Sequence, residues 1–353
     1  MRKSYDRETP QEMQTDRRKR DHIRINLEED VTHRIRTGFD AYWFVHNALP
    51  ELDLADVDLS TSFFGHSLGA PFLISSITGG TPEAQQINIR LAEAAQAAGI
   101  AMGLGSLRAA IENADLAATY QVRRWAPDIL LFANIGAVQL NYGFDVSHCQ
   151  RAVEMVEANG LILHLNPLQE ALQPEGNTRW SGVLAKIETL CRALPVPVIA
   201  KEVGWGISAR VALQLANAGI SAVDVAGAGG TSWSQVEMYR ARDPIQRSVA
   251  AHFRDWGIPT AEALQSVRQA LPGMPVIASG GMRHGLHVAK ALALGATLAG
   301  LAGPFLRAAS DSPEAVADLV EELSRTLRVA MFAVGVPTIA ALQSAPLERR
   351  PDI

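Results

Sequence analysis

The stretch "PVIASGGMRHGLHVAKALALGATLAGLAG", residues 275–303, decides the fold. It opens on an apolar run ending in two glycines and passes through a helical segment whose apolar positions recur every three to four residues. It closes on a second apolar run that also ends in glycine. Strand, helix and parallel strand in about thirty residues is a βαβ unit, and a βαβ unit implies a parallel sheet covered by helices. Glycines at both strand ends let the backbone approach a ligand, and N–H groups exposed at a helix start favour an anion such as phosphate.

Working outward, the same alternation fills most of the chain. The strand candidates are "PFLISSI" (71–77), "IAMGLG" (100–105), "ILLFANI" (129–135), "GLILHLN" (160–166), "PVIAKEV" (197–203), "SAVDVAG" (221–227), "PVIASGG" (275–281) and "TLAGLAG" (297–303). Helical segments separate them, "ENADLAATYQVRRWA" among these, and several end at Gly, the residue that best adopts the left-handed C-cap. Eight strands and their helices over roughly 250 residues predict a (β/α)8 TIM barrel, with a doubly wound open sheet as the alternative. The longest connection, from Gly227 to Thr260, follows the sixth strand and is a candidate lid.

The chain of 353 residues divides into a polar, mobile basic arm (1–24) and the barrel with a C-terminal helical segment (25–353). A hydrophobic content of 48% is ample for one large core. The formal charge of −5 and pI near 6.0 provide no basic field for nucleic acid or an anionic membrane, so any anionic ligand must be held locally. Cys149 and Cys191 form no Cys-x-x-Cys pair, which argues against a disulfide framework or a thiolate zinc site. No apolar run reaches membrane-spanning length and the start lacks a signal peptide's apolar stretch, so the expectation is a cytoplasmic protein.

TIM barrels build their chemistry at the C-terminal ends of the strands. Here these ends carry Thr78-Gly79-Gly80, Ser106 with Arg108, Asn134, His164 with Asn166, Lys201, Thr231 after a run of glycines, Gly280-Gly281-Met282, and Ala302-Gly303. Some of the Thr, Ser and Asn residues could simply cap helices. Lys201, flanked by strand residues, must instead project into the barrel mouth or be paired. Together with the glycine-rich ends of strands seven and eight, it suggests a phosphorylated planar cofactor such as FMN across the mouth. In "HLNPLQE" (164–170), His164 and Asn166 share one strand face, Pro167 ends the ladder, and Gln169 and Glu170 follow. A single carboxylate beside ligand phosphates commonly holds Mg2+, which suits Glu170, and neutral Gln169 can orient a substrate without transferring a proton.

These motifs are similar to those of the type 2 isopentenyl diphosphate isomerases, FMN barrels that interconvert isopentenyl and dimethylallyl diphosphate. The resemblance runs from about Arg18 to Leu306 and includes "RKRDHI", "TGG", "GSLR", "NIGA", "HLNPLQE", "KEVGWG", "DVAGAGGTSW", "GGMRHGLHVAKALALGA" and "AGPFL". It implies that Arg18, Lys19 and His22 hold the diphosphate together with Arg108, His164 and Ser106, and that Asn166 and Gln169 line the substrate pocket beside a Glu170-bound Mg2+. It implies FMN contacts from Thr78, Gly79, Gly80, Ser106, Asn134, Lys201 and Thr231, and a phosphate cradle from Gly280, Gly281, Met282, Ala302 and Gly303. Three positions depart from the family's usual residues: Ile77 for Met, Leu107 for Gln and Ala226 for Ser. None removes an acid, a base or a charge, so they bear on affinity and specificity more than on the reaction.

Moving a double bond needs a proton added at one carbon and another removed from an allylic carbon, and no carboxylate pair in the sequence stands out for that work. The resemblance assigns it to reduced FMN acting without net redox change, with NADPH serving only to reduce the flavin, and it implies a homo-oligomer, a tetramer or octamer. Two rival readings compete with it. An FMN oxidoreductase of a small hydroxy acid would carry His and Arg at the sixth strand's end, where this chain reads "GAGGTSW". A non-catalytic flavin-binding barrel would have no use for His164, Gln169, Glu170 or the arm's Arg18-Lys19.

Overall fold

Successive residues of a strand point to opposite faces, so a closed parallel barrel sorts them into an interior set and a set beneath the surrounding helices. In the computed structural model, which describes residues 10–350, this sorting is complete. The barrel strands are β1 (Phe72–Ile74), β2 (Ala101–Gly103), β3 (Leu131–Gly136), β4 (Gly160–Leu165), β5 (Val198–Glu202), β6 (Ala222–Asp224), β7 (Val276–Ser279) and β8 (Leu298–Leu301). Each pairs in parallel with the next, and β8 pairs with β1 through Ala299↔Phe72 and Leu301↔Ile74, which closes the barrel. All eight fall inside the stretches read from the sequence or within one residue of them, and the open-sheet alternative is excluded.

Leu73, Ala101, Phe132, Ile162, Ile199, Ala222, Ile277 and Leu298, one from each strand, form an interior apolar layer. Phe63 and Leu68, from a hairpin of Thr61–Phe63 with His66–Leu68, pack onto it from below. Each large aliphatic side chain buried there contributes about 1.5–3 kcal/mol. Two residues further along each strand, the same faces present Ser75, Gly103, Asn134, His164, Lys201, Asp224, Ser279 and Gly300. Period two therefore places a polar layer directly above an apolar one.

The helices used below are α1 (Pro10–Glu28), α2 (Pro82–Ala98), α3 (Pro167–Leu172), α4 (Trp233–Arg240), α5 (Gly285–Ala293) and α6 (Gly303–Asp311). α2 shows the local logic of a βα junction. The Thr81 hydroxyl accepts from Ala84 N at 3.1 Å, Pro82 occupies the first turn, and Gly99 closes the helix at φ 62.

The sequence expectations need three amendments. Residues 10–28 of the arm's end are helical, past the boundary expected at 24, and Ile23 and Ile25 are buried; Ile25 packs with Val31 and Val236. "ENADLAATYQVRRWA" is not one helix: Ala114–Thr119 form a 3-10 turn, and the chain then dips so that Tyr120 is fully buried. The long connection after β6 is largely helical, as α4 and Pro244–His252, and only its first residues reach the barrel mouth. Among the described residues, no helix is long and apolar enough to cross a membrane.

Candidate active site

A cavity of about 730 Å³ lies at the C-terminal ends of the strands, bounded on one side by α1. It brings together every residue singled out from the sequence except Gly80. Leu107 is fully buried and does not line it, whereas Ile77 and Ala226 do.

The floor is the polar layer. The Lys201 ammonium lies 3.0 Å from Asp224 Oδ2 and 3.2 Å from Ser279 Oγ, and the Ser279 hydroxyl donates to Asp224 Oδ1 at 2.6 Å. Lys201 and Asp224 are directly opposite in the β5–β6 register, which is why the two charges meet. Beside them, Asn134 Nδ2 donates to Ser76 Oγ at 2.9 Å, which turns its Oδ1 toward His164 Nδ1 at 2.8 Å. That contact puts the imidazole N–H on Nδ1 and leaves a lone pair on Nε2. Burial, with Lys201 and Arg18 nearby, lowers the His164 pKa to about 4, so the ring is neutral. On the outer face of β5, Glu202 accepts from the amides of Val203, Gly204 and Trp205 at 2.6–2.7 Å and so fixes the bend of "KEVGWG". Burial raises its pKa to about 7 against the pull of those amides.

One end of the cavity is built from backbone. Gly280 and Gly281 have φ of 101 and 69, and a Cβ on Gly280 would sit 2.1 Å from Gly227 O, so only glycine fits. The N–H groups of Gly281, Met282 and Gly303 donate to no described residue. That of Gly303 opens α6, whose N-cap Ala302 offers no side-chain acceptor. Free amides at a helix start beside a bare Gly303, around which a Cβ would meet nothing within 4 Å, make a phosphate-sized cradle.

The other end is cationic and assembled from distant segments. Arg18 and Lys19 come from α1, and Arg108 follows β2 with Nη1 2.9 Å from Asn177 Oδ1. Below them, Asn166 Nδ2 donates to Gln169 Oε1 at 3.1 Å and to Glu170 Oε1 at 3.0 Å. Gln173 Nε2 and the Asn177 amide both donate to Glu170 Oε2, which leaves one lone pair of Oε1 without a protein donor. The buried Asn166 Oδ1 and Ser75 Oγ have no hydrogen-bond partner. Both line the cavity, so a ligand would satisfy them.

Sequence reasoning missed the carboxylates that organise this end. Glu237 on α4 is wholly buried and accepts from Gln169 Nε2 at 3.0 Å, from His22 Nε2 at 3.2 Å and from Arg240, which also pairs with Glu175. Burial opposes its ionisation, but the His22, Arg240 and Gln169 donors outweigh that and hold its pKa well below the carboxylate range. Burial lowers the His22 pKa against the pull of Glu237. In the sequence Glu237 reads as a solvated helix charge, because its partners lie up to 215 residues away. Asp224 was missed as well, although a carboxylate inside the apolar "SAVDVAG" raises the same question as Lys201.

A model of the FMN-dependent dehydrogenase family matches residues 12–128 and 150–349. The chain is 57% identical over 334 residues to the isopentenyl-diphosphate delta-isomerase of a Synechocystis strain, covering 94% of this chain and 96% of that one. It is 54% identical to the enzyme of the same name from a Nostoc strain (97% and 98% covered) and 49% identical to that from Rickettsia canadensis (94% and 97%). Among solved structures, a single-residue variant of mandelate oxidase superposes with a TM-score of 0.66 at 19% identity, covering 95% of this chain and 98% of that one. A lactate oxidase from Pediococcus acidilactici gives 0.65 at 17%, covering 90% and 86%. At those identities the likeness is one of fold.

Proposed function

The chain belongs to the FMN-dependent dehydrogenase family and, with the relatives above, to the isopentenyl-diphosphate delta-isomerases, and from that premise we propose that it interconverts isopentenyl and dimethylallyl diphosphate. The observation that carries this reading is the polarity of the cavity. A backbone phosphate cradle at one end is joined by a polar floor to an Arg18-Lys19-Arg108 cluster at the other.

The residues fit FMN. Its phosphate suits the free amides of Gly281, Met282 and Gly303, and the Lys201 ammonium on the floor suits the electron-rich edge of the ring, with Thr78, Ser106, Asn134 and Thr231 around it. When bound and reduced, FMN supplies the proton donor and acceptor for the double-bond shift without net redox change. NADPH is the reductant that prepares it.

The chain's own residues do the rest. Arg18, Lys19 and Arg108 take the diphosphate, for which charge-assisted hydrogen bonds are strong. A phosphate beside neutral His164 raises the imidazole's pKa, so substrate binding draws a proton onto it. Glu170, whose Oε1 has capacity beyond its one protein donor, would hold a Mg2+ ion that neutralises diphosphate charge. Gln169, fixed between Asn166 and Glu237, orients the hydrocarbon end without itself donating a proton at neutral pH. Ile23 and Trp233 line the same cavity and exclude water from the developing cationic character. The protein acts as a cytoplasmic homo-oligomer on a small-molecule diphosphate.

The test is NMR of isopentenyl diphosphate with Mg2+ and anaerobically reduced holoprotein. Formation of dimethylallyl diphosphate by reduced but not oxidised protein is the expected result. If neither form converts it, the reading fails, and reduction of the flavin by small hydroxy acids becomes the next assay.

A further inference from the structure

We propose that Tyr120, which lies outside the cavity, is a positioning residue for substrate binding: its hydroxyl holds the Lys19 ammonium at the anionic end of the site. This rests on the preceding reading, in which Lys19 meets the diphosphate.

The pair of glycines after β1 points to it. A Cβ on Gly79 would lie 1.9 Å from Tyr120 Cε1 and 2.5 Å from Cζ, so the bare α-carbon is what admits the phenol ring. Gly80, with φ 89, faces the same place: a Cβ there would lie 2.6 Å from Lys19 Nζ and 3.2 Å from the Tyr120 hydroxyl. Gly80 was expected to contact the cofactor, but its position makes room for Lys19 and Tyr120. The second glycine therefore serves the substrate end of the site.

The segment carrying Tyr120 is stitched to the same strand end. The Gly80 amide donates to Thr119 Oγ1 at 2.9 Å. Asn88 Nδ2 bridges Thr78 O at 3.3 Å and Thr119 O at 3.0 Å. From that seat the Tyr120 hydroxyl donates to Ser106 O at 2.8 Å and accepts from Lys19 Nζ. One oxygen thus ties α1 to the β2 end, on a segment that Thr119 and Asn88 hold at the β1 end. Burial keeps the phenol protonated, so its O–H is available to Ser106 O while a lone pair meets Lys19. An ammonium only donates, so the phenol oxygen meets it as an acceptor and fixes where its charge sits. A lysine chain left free at the mouth would have to lose its rotamer freedom each time substrate bound; here much of it is lost in folding.

Tyr120→Phe deletes the hydroxyl and keeps the ring on Gly79. In the reduced holoenzyme we expect KM for isopentenyl diphosphate to rise about tenfold, the size of losing one hydrogen bond to a charged group, with kcat within about twofold and FMN content unchanged. In a Lys19→Met background, which raises KM by itself, Tyr120→Phe should add nothing. A tenfold rise in both backgrounds would show that Tyr120 does not act through Lys19, and an unchanged KM or a fall in kcat alone would overturn the proposal outright. Should Tyr120→Phe fail to fold, Gly80→Ala crowds both partners of the contact, with its Cβ 2.6 Å from Lys19 Nζ and 3.2 Å from the Tyr120 hydroxyl, and the same KM rise at unchanged FMN content is expected; an unchanged KM overturns the proposal. Calorimetry with inorganic pyrophosphate separates the two readings. If wild type makes no dimethylallyl diphosphate but binds pyrophosphate about tenfold more tightly than Tyr120→Phe, the isomerase reading fails and the positioning role stands. Equal or absent pyrophosphate binding in both proteins removes the role.

Discussion

Asp224→Asn is the sharpest test of how the cavity floor is held. Asp224 is fully buried, and its carboxylate accepts from Ser279 Oγ and Ala226 N and pairs ionically with the Lys201 ammonium. An asparagine can keep Oδ1 for Ser279 and Ala226, but its NH2 group then faces the ammonium. At 3.0 Å the charge–charge attraction is about 5.5 kcal/mol for an effective dielectric of ~20. Removing one member of a buried pair typically costs about 3–5 kcal/mol, because the remaining charge stays desolvated. We expect a loss of that size in urea unfolding of the flavin-free protein, read as a shift of midpoint at constant m-value. Lys201→Met should cost a similar amount, since it strands the carboxylate. The double variant should lose at least ~2 kcal/mol less than the sum of the singles, because it leaves no buried charge behind. A midpoint shift equivalent to less than ~1 kcal/mol for Asp224→Asn, or strict additivity, would show that water already screens the pair and would refute the reasoning.

Three further outcomes are expected. His164 titrates near 4 folded and near 6.5 unfolded, so between these values the unfolded chain binds more protons and stability rises with pH; about 3 kcal/mol is fully present above pH 6.5 and is lost as pH falls through 4. Urea midpoints from pH 4 to 7 should therefore rise less steeply for His164→Gln than for wild type. Gln169→Ala should lower turnover at least about a hundredfold while the flavin absorbance of the purified protein is retained, because Gln169 lies between Asn166 and Glu237 at the substrate end; unchanged turnover removes it from the mechanism. Deleting residues 1–22 should weaken isopentenyl diphosphate binding in the KM assay without unfolding the barrel, since the buried Ile23 and Ile25 remain; an unchanged KM would show that Arg18, Lys19 and His22 hold no diphosphate.

The barrel was legible because its strands are bounded by glycine and spaced evenly, and the floor because period two carries the reader from an apolar residue to a polar one on each strand. Phe132 leads to Asn134, Ile162 to His164 and Ile199 to Lys201. The strands Thr61–Phe63, His66–Leu68, Tyr42–Phe44 and Leu347–Arg349 lie outside the glycine-bounded βα alternation, and the sequence announces none of the four. "ENADLAATYQVRRWA" misled for a tertiary reason: its helical pattern is real, but Asn88, Thr119 and the space above Gly79 draw Tyr120 inward and end the helix.

The two ends of the cavity differ in legibility for the same physical reason that they differ in construction. A phosphate cradle is made by backbone, and a backbone that must take positive φ writes glycine into one short stretch, as at Gly280 and Gly281. The diphosphate end is made by side chains from α1, the β1 and β2 ends, the β4 loop and α4. There, apart from "HLNPLQE", each local sequence reads as something ordinary: a basic arm, a turn, a solvated helix. Glu237 becomes a site residue only once His22 and Gln169 are both within hydrogen-bond distance of one oxygen. Gly80 becomes one only once Lys19 lies where its side chain would have been. A glycine pair after a strand should therefore be asked two questions: which ligand approaches the backbone, and which side chain from elsewhere fills the space that no Cβ occupies.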